Sequence, residues 1–182
     1  VSFPRLEQAM NTSFKDNPDY KVTDDTFKKL ITVLRLAIPY TGMILTCRET
    51  PQVKKELLGL GITQTDASTR IGIGSYNKDN DEYKQQFLLS DVRDLDDVVQ
   101  ELIKLGYITS FCTAGYRCGR TGECIMELLR KGEEAKYCKL NAVITFREWI
   151  DDFVKPETKL MAESIIEKEI TQIKEKMPTI FI

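Results

Sequence analysis

The first half of the chain alternates between strand-like and helix-like segments, and this order restricts the fold more than any other feature. Parallel strands need a long connection between them, usually a helix, so the order predicts a parallel α/β fold. Three strands are too few to close a barrel, and we interpret them as the last three strand–helix units of a larger (β/α) barrel. The predicted strands lie near residues 2–3, 43–47 and 62–66. Three helices are predicted. The first covers residues 23–38, the second begins at Thr50-Pro51, and the third begins after Asp94.

The second half of the chain is predicted to be mainly helical. Residues 108–111 suit a short strand, and a stretch rich in Cys, Gly and Arg follows it. Residues 121–131 are predicted to be helical. Thr145 and Glu148 form a capping-box pattern that predicts a helix start at Thr145, and Pro156 begins a last helix. The change of character predicts two domains, residues 1–107 and residues 108–182.

Composition excludes several classes of protein. The chain has 182 residues, 42% of them hydrophobic, and a formal net charge of −2. It therefore lacks the basic character of a nucleic-acid-binding protein, and no apolar run reaches the roughly 20 residues that span a membrane. Five cysteines, an odd number, favour a reducing, cytoplasmic location over a disulfide framework. Because histidine is absent, thiolates are the expected metal ligands.

Four of the five cysteines are clustered in the second half of the chain. Cys112, Cys118, Cys124 and Cys138 lie within 27 residues. Clustered thiolates in a reducing compartment are what an iron–sulfur cluster requires. The spacing alone leaves a second interpretation open, in which these cysteines are small buried hydrophobic residues.

Five short motifs give the chain a resemblance to a known family. They are FPRL at 3–6, IPYTGMIL at 38–45, SFCTA at 110–114, YRCGRTG at 116–122 and NA at 141–142. Through them the chain resembles the radical SAM tyrosine lyases of FeFe-hydrogenase maturation, from residue 2 to about its end. The resemblance implies that residues 1–107 belong to a radical SAM TIM barrel. It also implies that residues 108–182 form a helical region with an auxiliary-cluster motif.

The resemblance also implies an activity. Enzymes of this family cleave tyrosine into p-cresol and dehydroglycine with S-adenosyl-L-methionine (SAM) bound at an N-terminal 4Fe–4S cluster, and they yield CO and cyanide for the hydrogenase H-cluster. The CX3CX2C motif of that cluster does not occur here. Because the chain also opens at Val1, we expect it to be part of a longer parent enzyme. The expected partners of that enzyme are SAM, tyrosine and hydrogenase maturation proteins. The fragment alone is expected to be inactive. The alternatives are a degenerate paralogue or gene fragment without catalysis, and a small iron–sulfur binding module.

The family's auxiliary 4Fe–4S cluster is held by a CX2CX22C motif. Carried over onto this sequence, the motif falls on Cys112, Gly115 and Cys138. The glycine replaces one expected thiolate, and Cys118, three residues further on, is the candidate substitute. We expect Cys112 and Cys138 to converge, with Cys118 close by and Cys124 less well placed. The competing interpretation is a lyase that has lost its CO and cyanide output.

The expected substrate site lies at the ends of the predicted strands. Arg48 follows the second strand, and Ser68 and Arg70 follow the third. Barrel enzymes place functional groups at the carboxyl ends of their strands, and a guanidinium suits a carboxylate. By similarity to aromatic amino-acid lyases, these three residues are expected to bind the substrate carboxylate. The alternative is that Arg48 forms a structural ion pair with Glu49 or Asp66.

Overall fold

The structure, a computed structural model, describes residues 1–9, 21–75, 85–111, 122–131 and 134–176. The chain divides into two compact units, Val1–Asp94 and Leu95–Ile182. In the first unit the elements are α1 (Asp24–Ala37), β1 (Ile44–Leu45), α2 (Pro51–Leu58) and β2 (Gln64–Thr65). In the second unit they are α3 (Leu95–Lys104), α4 (Gly122–Lys131), α5 (Glu134–Phe153) and α6 (Pro156–Lys176).

The two helices of the first unit begin at threonine caps, and the cap at Thr50 was predicted from the sequence. The Thr23 side chain accepts a hydrogen bond from the Thr26 amide at the start of α1. Thr50 accepts one from the Val53 amide at the start of α2, where Pro51 fills the first helical position. Both caps satisfy amides that have no partner within the helix, so these two helix starts are encoded locally.

A short parallel sheet joins the strands. Ile44 pairs with Gln64 and Leu45 pairs with Thr65, both in parallel. Ser2 forms a further parallel bridge to Ile44 on the other side of β1. The predicted parallel arrangement of three neighbouring segments is therefore present, although the regular pairing is shorter than the predicted strands.

The sheet of the first unit has one covered and one exposed face. Met43 and Leu45 are completely buried, and they pack against α1 and α2. Ile44, which points to the opposite face, is 37% exposed, and its partner Gln64 is also exposed. The face that carries Ile44 and Gln64 is therefore poorly covered by the described residues. The core consists of Phe27, Ile31, Met43, Leu45, Val53, Leu57 and Ile62.

The second unit is a helical cluster in which α6 packs against both α5 and α3. Its completely buried side chains include Phe146 on α5 and Ile173 on α6. A polar link joins α3 to α6, since the Thr158 hydroxyl donates a hydrogen bond of 2.9 Å to the Asp96 carboxylate. None of the described helices combines the length and the apolar character that a membrane crossing requires.

Two local predictions for the second unit are wrong. Thr145 does not begin a helix but lies inside α5, where its hydroxyl donates to the Asn141 backbone oxygen at 3.0 Å. Residues 108–111 form no strand, and the Phe111 amide donates to the Thr145 hydroxyl instead. The Phe111 ring also packs on Trp149, with ring centres 5.0 Å apart. The capping-box pattern was misleading because the threonine hydroxyl finds its partners inside the helix and in the preceding segment.

Candidate functional site

Arg48 lies three residues beyond the end of β1. Its guanidinium carbon is 3.8 Å from the centre of the Phe87 ring. Its Nη1 atom donates a hydrogen bond of 3.0 Å to the backbone oxygen of Arg5. No carboxylate among the described residues forms an ion pair with this side chain. A guanidinium has five N–H donors, and within the described part of the chain the Arg5 oxygen is the acceptor found for Arg48.

The two carboxylates proposed as structural partners of Arg48 are bound to other cations. Glu49, whose side chain is completely buried, pairs with both Nε and Nη2 of Arg5. Asp66 lies 3.3 Å from the ammonium of Lys54. The structural ion pair considered for Arg48 is therefore not found among the described residues, and the Arg5–Glu49 pair was not predicted from the sequence.

Ser68 and Arg70 follow β2 as Arg48 follows β1. Ser68 lies three residues beyond the end of its strand, and the twenty-residue offset that pairs Ile44 with Gln64 also relates Arg48 to Ser68. Both residues therefore follow the same edge of the parallel sheet. Ser68 has a φ of 55°, and its amide donates to the Arg93 backbone oxygen at 3.1 Å. The side chains of Ser68 and Arg70 are both exposed.

A cavity of about 760 Å³ borders Arg48 within the first unit. Apolar side chains, among them Phe3, Leu6 and Phe27, supply much of its lining. Ser68 and Arg70 are not part of that lining. Burial, and then the negative charge of Glu49, raise the pKa of Glu7 above its ordinary value. A concave, largely apolar space with a few charged groups suits a small polar ligand. The charged lining residues are Arg5, Glu7, Lys21, Asp24 and Arg48.

A buried ionic network lies beside the site. The Lys54 ammonium, in a side chain that is 4% exposed, is 3.1 Å from the Asp91 carboxylate, which is 2% exposed. Arg93 donates from Nε and Nη2 to the same carboxylate, both at 2.9 Å. Burial alone raises the pKa of Asp91. The hydrogen bonds from Arg93 and the charge of Lys54 together outweigh burial, so the pKa lies below its ordinary value. The network connects Lys54 of α2 with the segment that contains Asp91 and Arg93. In that segment the Arg93 backbone oxygen accepts the hydrogen bond from the Ser68 amide.

We expect Asp91→Asn to destabilise the protein at pH 7 by about 2 kcal/mol, because it removes charged hydrogen bonds from a buried site. The sign of the pH dependence follows from the lowered pKa of Asp91. Its stabilisation is complete above the unfolded-state pKa of about 4 and is lost as the pH falls through the folded-state value. The free energy of unfolding, measured in urea from pH 7 to pH 3, should therefore converge for the two proteins in acid. A constant difference at every pH would contradict the assignment.

Cys47 is the buried cysteine of the first unit. Burial raises the pKa of its thiol, and the negative charge of Asp66 adds to the rise. The thiol form is thus favoured over the thiolate that binds metals and reacts. Cys47 lies outside the cysteine cluster of the second half of the chain.

The predicted cluster ligands are only partly within the described residues. Cys112, Gly115 and Cys118 lie outside them, so the expected convergence stays a prediction. Cys138 lies on α5, where its side chain is exposed, and Cys124 lies on α4. Among the described residues, no group of three Cys, Asp or Glu side chains could hold a metal ion. The donor chemistry of Cys112, Cys118 and Cys138 still fits an iron–sulfur cluster, and the exposed Cys138 is accessible to one.

Comparison with known proteins adds a family and two similar structures. The model of the Biotin and Thiamin Synthesis associated domain matches residues 2–108. The crystal structure of HydG, a maturase of the FeFe-hydrogenase, is 40% identical with a TM-score of 0.86 over 94% of this chain. The structure of the FeFe-hydrogenase maturase HydG from Carboxydothermus hydrogenoformans is 32% identical with a TM-score of 0.71 over 98% of it.

The likeness covers only part of those proteins. This chain spans 37% of the first HydG chain and 35% of the second. No curated protein matches the chain. The remaining part of each HydG protein therefore has no counterpart in these 182 residues.

Proposed function

We propose that this chain, which belongs to the Biotin and Thiamin Synthesis associated domain family, is part of a radical SAM enzyme of FeFe-hydrogenase maturation. The similarity to two HydG structures over nearly the whole chain supports this proposal. The parent enzyme would be a tyrosine lyase that yields p-cresol and dehydroglycine, and then CO and cyanide for the H-cluster. Its partners would be tyrosine, SAM and the other hydrogenase maturation proteins.

The proposed architecture assigns a role to each part of the chain. Residues 1–107 would supply the last strand–helix units of the radical SAM TIM barrel, and the parallel order Ser2, β1, β2 supports this. Residues 108–182 would form the helical auxiliary-cluster domain. SAM and its own 4Fe–4S cluster would be bound by a part of the parent enzyme outside these residues.

The observation that carries the proposal is the state of Arg48. This guanidinium borders a cavity, forms no ion pair within the described part of the chain, and follows the carboxyl end of β1. A planar fork with spare donors binds a carboxylate through two parallel hydrogen bonds. We assign Arg48 to the α-carboxylate of tyrosine, with Ser68 and Arg70 as supporting donors. These groups orient the substrate and do not themselves exchange protons with it.

The second cofactor site is assigned to the cysteine cluster. Cys112, Cys118 and Cys138 would hold the auxiliary 4Fe–4S cluster, with Cys118 in place of the thiolate that Gly115 lacks. When bound, such a cluster with three protein ligands offers one iron to small ligands. The contribution of this chain is to hold the thiolates and to leave that position open.

The substrate assignment predicts that Arg48→Lys weakens tyrosine binding about tenfold in the complete parent enzyme. Lysine retains the positive charge but cannot form the bidentate contact, and one charged hydrogen bond contributes about 1.5–3 kcal/mol. The measurement is the dissociation constant of labelled L-tyrosine by equilibrium dialysis, together with the rate of p-cresol formation.

Arg147→Lys is the matched control for this experiment. Arg147 pairs with Glu163 on the surface of the second unit and has no role assigned in tyrosine binding, so its variant should bind tyrosine normally. Unchanged tyrosine affinity in Arg48→Lys would refute the carboxylate assignment. If the wild-type enzyme binds no tyrosine, the degenerate paralogue becomes the better interpretation.

A further inference from the structure

We propose that Phe87 is a positioning residue, whose ring fixes the orientation of the Arg48 guanidinium and thereby sets the preference for a ligand with a carboxylate. The inference rests on the proposed function, because it concerns the same substrate site. It adds a residue from a different segment of the chain, 39 positions after Arg48, to which the sequence motifs assign no role.

The contact itself restricts the guanidinium. A distance of 3.8 Å between the guanidinium carbon and the ring centre places the cation directly over the aromatic face. The Arg5 backbone oxygen accepts a hydrogen bond from Nη1 on the same group. A ring contact on one face and a hydrogen bond at one edge leave little freedom to rotate. The remaining N–H donors are therefore held in one direction before any ligand arrives.

Phe87 is itself anchored to the segments that carry its partners. The neighbouring Leu88 amide donates to the Gln8 backbone oxygen at 2.8 Å, close in sequence to Arg5. The amides of Ser90 and Asp91 both donate to the Cys47 backbone oxygen at 3.0 Å, next to Arg48. The backbone around Phe87 is thus hydrogen-bonded to the segment that carries Arg5 and to the residue that precedes Arg48. Movement of the ring relative to the guanidinium would require several backbone hydrogen bonds to break.

The packing of Phe87 indicates a role other than filling the core. Its side chain is half-buried, and it does not belong to the hydrophobic cluster that the structure describes in the first unit. Its ring contacts the Arg48 guanidinium. A leucine at this position would keep most of the apolar volume but would lose the ring face, which makes it an informative substitution.

The test measures two ligands on the complete parent enzyme. L-tyrosine carries the carboxylate, whereas tyramine is the same molecule without it. We expect Phe87→Leu to raise the dissociation constant of L-tyrosine about fivefold and to leave that of tyramine unchanged, because a guanidinium that can rotate loses part of its preorganised fork. Phe87→Tyr keeps the ring and should bind both ligands as the wild type does.

The controls separate this inference from the function on which it rests. Phe111→Leu removes an aromatic ring of the second unit that packs on Trp149, and it should change neither dissociation constant. If Arg48→Lys weakens tyrosine binding and Phe87→Leu does not, the positioning role is wrong and the carboxylate assignment stands. An equal loss for tyramine and tyrosine in Phe87→Leu would indicate a general structural role and would also overturn the inference. If Arg48→Lys has no effect on tyrosine, the proposed function fails first.

Discussion

Arg5→Met is expected to destabilise the protein by about 3–5 kcal/mol, one of the two largest effects expected from its structure. The substitution removes the cation that pairs with Glu49, whose side chain is completely buried. A buried charge that loses its partner is far more costly than the loss of an exposed ion pair. Arg5 also contacts Asp24 and lies over the Phe27 ring, so its packing is lost as well. The measurement is the free energy of unfolding from a urea titration at pH 7.

A double substitution distinguishes the lost charge partner from the lost packing. In Arg5→Met combined with Glu49→Leu neither charge of this pair remains, and replacement of a buried ion pair by apolar residues is often nearly neutral. We therefore expect the double variant to recover most of the stability that Arg5→Met loses. As a control, Lys159→Met removes an exposed pair with Asp151 and should cost less than about 1 kcal/mol. If the double variant is less stable than Arg5→Met alone, the buried carboxylate is not the cause.

Cys118→Ser is expected to remove the auxiliary cluster. With Gly115 at the second position of the motif, Cys118 is the thiolate that would complete the set with Cys112 and Cys138. Two thiolates hold a cubane insecurely, and a serine hydroxyl is a poor ligand for iron. After anaerobic reconstitution we expect about four fewer iron atoms per chain than in the unchanged protein, together with loss of the absorption of the cluster.

The rescue variant makes the cluster test specific. Adding Gly115→Cys to Cys118→Ser restores the spacing of the family motif, so bound iron and, in the parent enzyme, the release of CO and cyanide should return. Cys124→Ser is the matched control, because Cys124 lies on α4 and is not assigned to the cluster. Full iron content in Cys118→Ser would show that Cys118 does not substitute for the missing ligand. Loss of iron without recovery in the double variant would show that a thiolate at position 115 cannot take the place of Cys118.

Local signals were sufficient to predict much of the first unit. Thr23 and Thr50 mark helix starts because a short side chain accepts from an amide three residues later, and such a contact is visible in the sequence. The parallel order followed from the alternation of apolar strands with these helices. The same reasoning failed at Thr145, where a valid capping pattern lies inside a helix. The position of Thr145 inside α5 depends on its tertiary contact with Phe111 and on the length of that helix. Neither can be predicted from a local sequence pattern.

The candidate site was predictable only where it depends on strand ends. Arg48 and Ser68 could be placed because parallel strands end at one edge of a sheet. Phe87 could not, since its contact with Arg48 joins residues 39 positions apart and its own neighbours in sequence form no periodic pattern. The alternative that paired Glu49 with Arg48 was wrong for the same reason. Its true partner, Arg5, lies 44 positions earlier, and the contact depends on how the segments pack.

The pairing of β1 with β2 limits where this chain can change length during evolution. A residue inserted or deleted within either strand would move the side chains that follow it to the opposite face of the sheet. A residue added to the connection between α2 and β2 leaves the pairing of Ile44 with Gln64 intact, because a surface segment can absorb it. Relatives that bind the same ligand should therefore keep the number of residues from Leu45 to Arg48 and from Thr65 to Ser68. Changes in length should accumulate between α2 and β2, where no pairing depends on them.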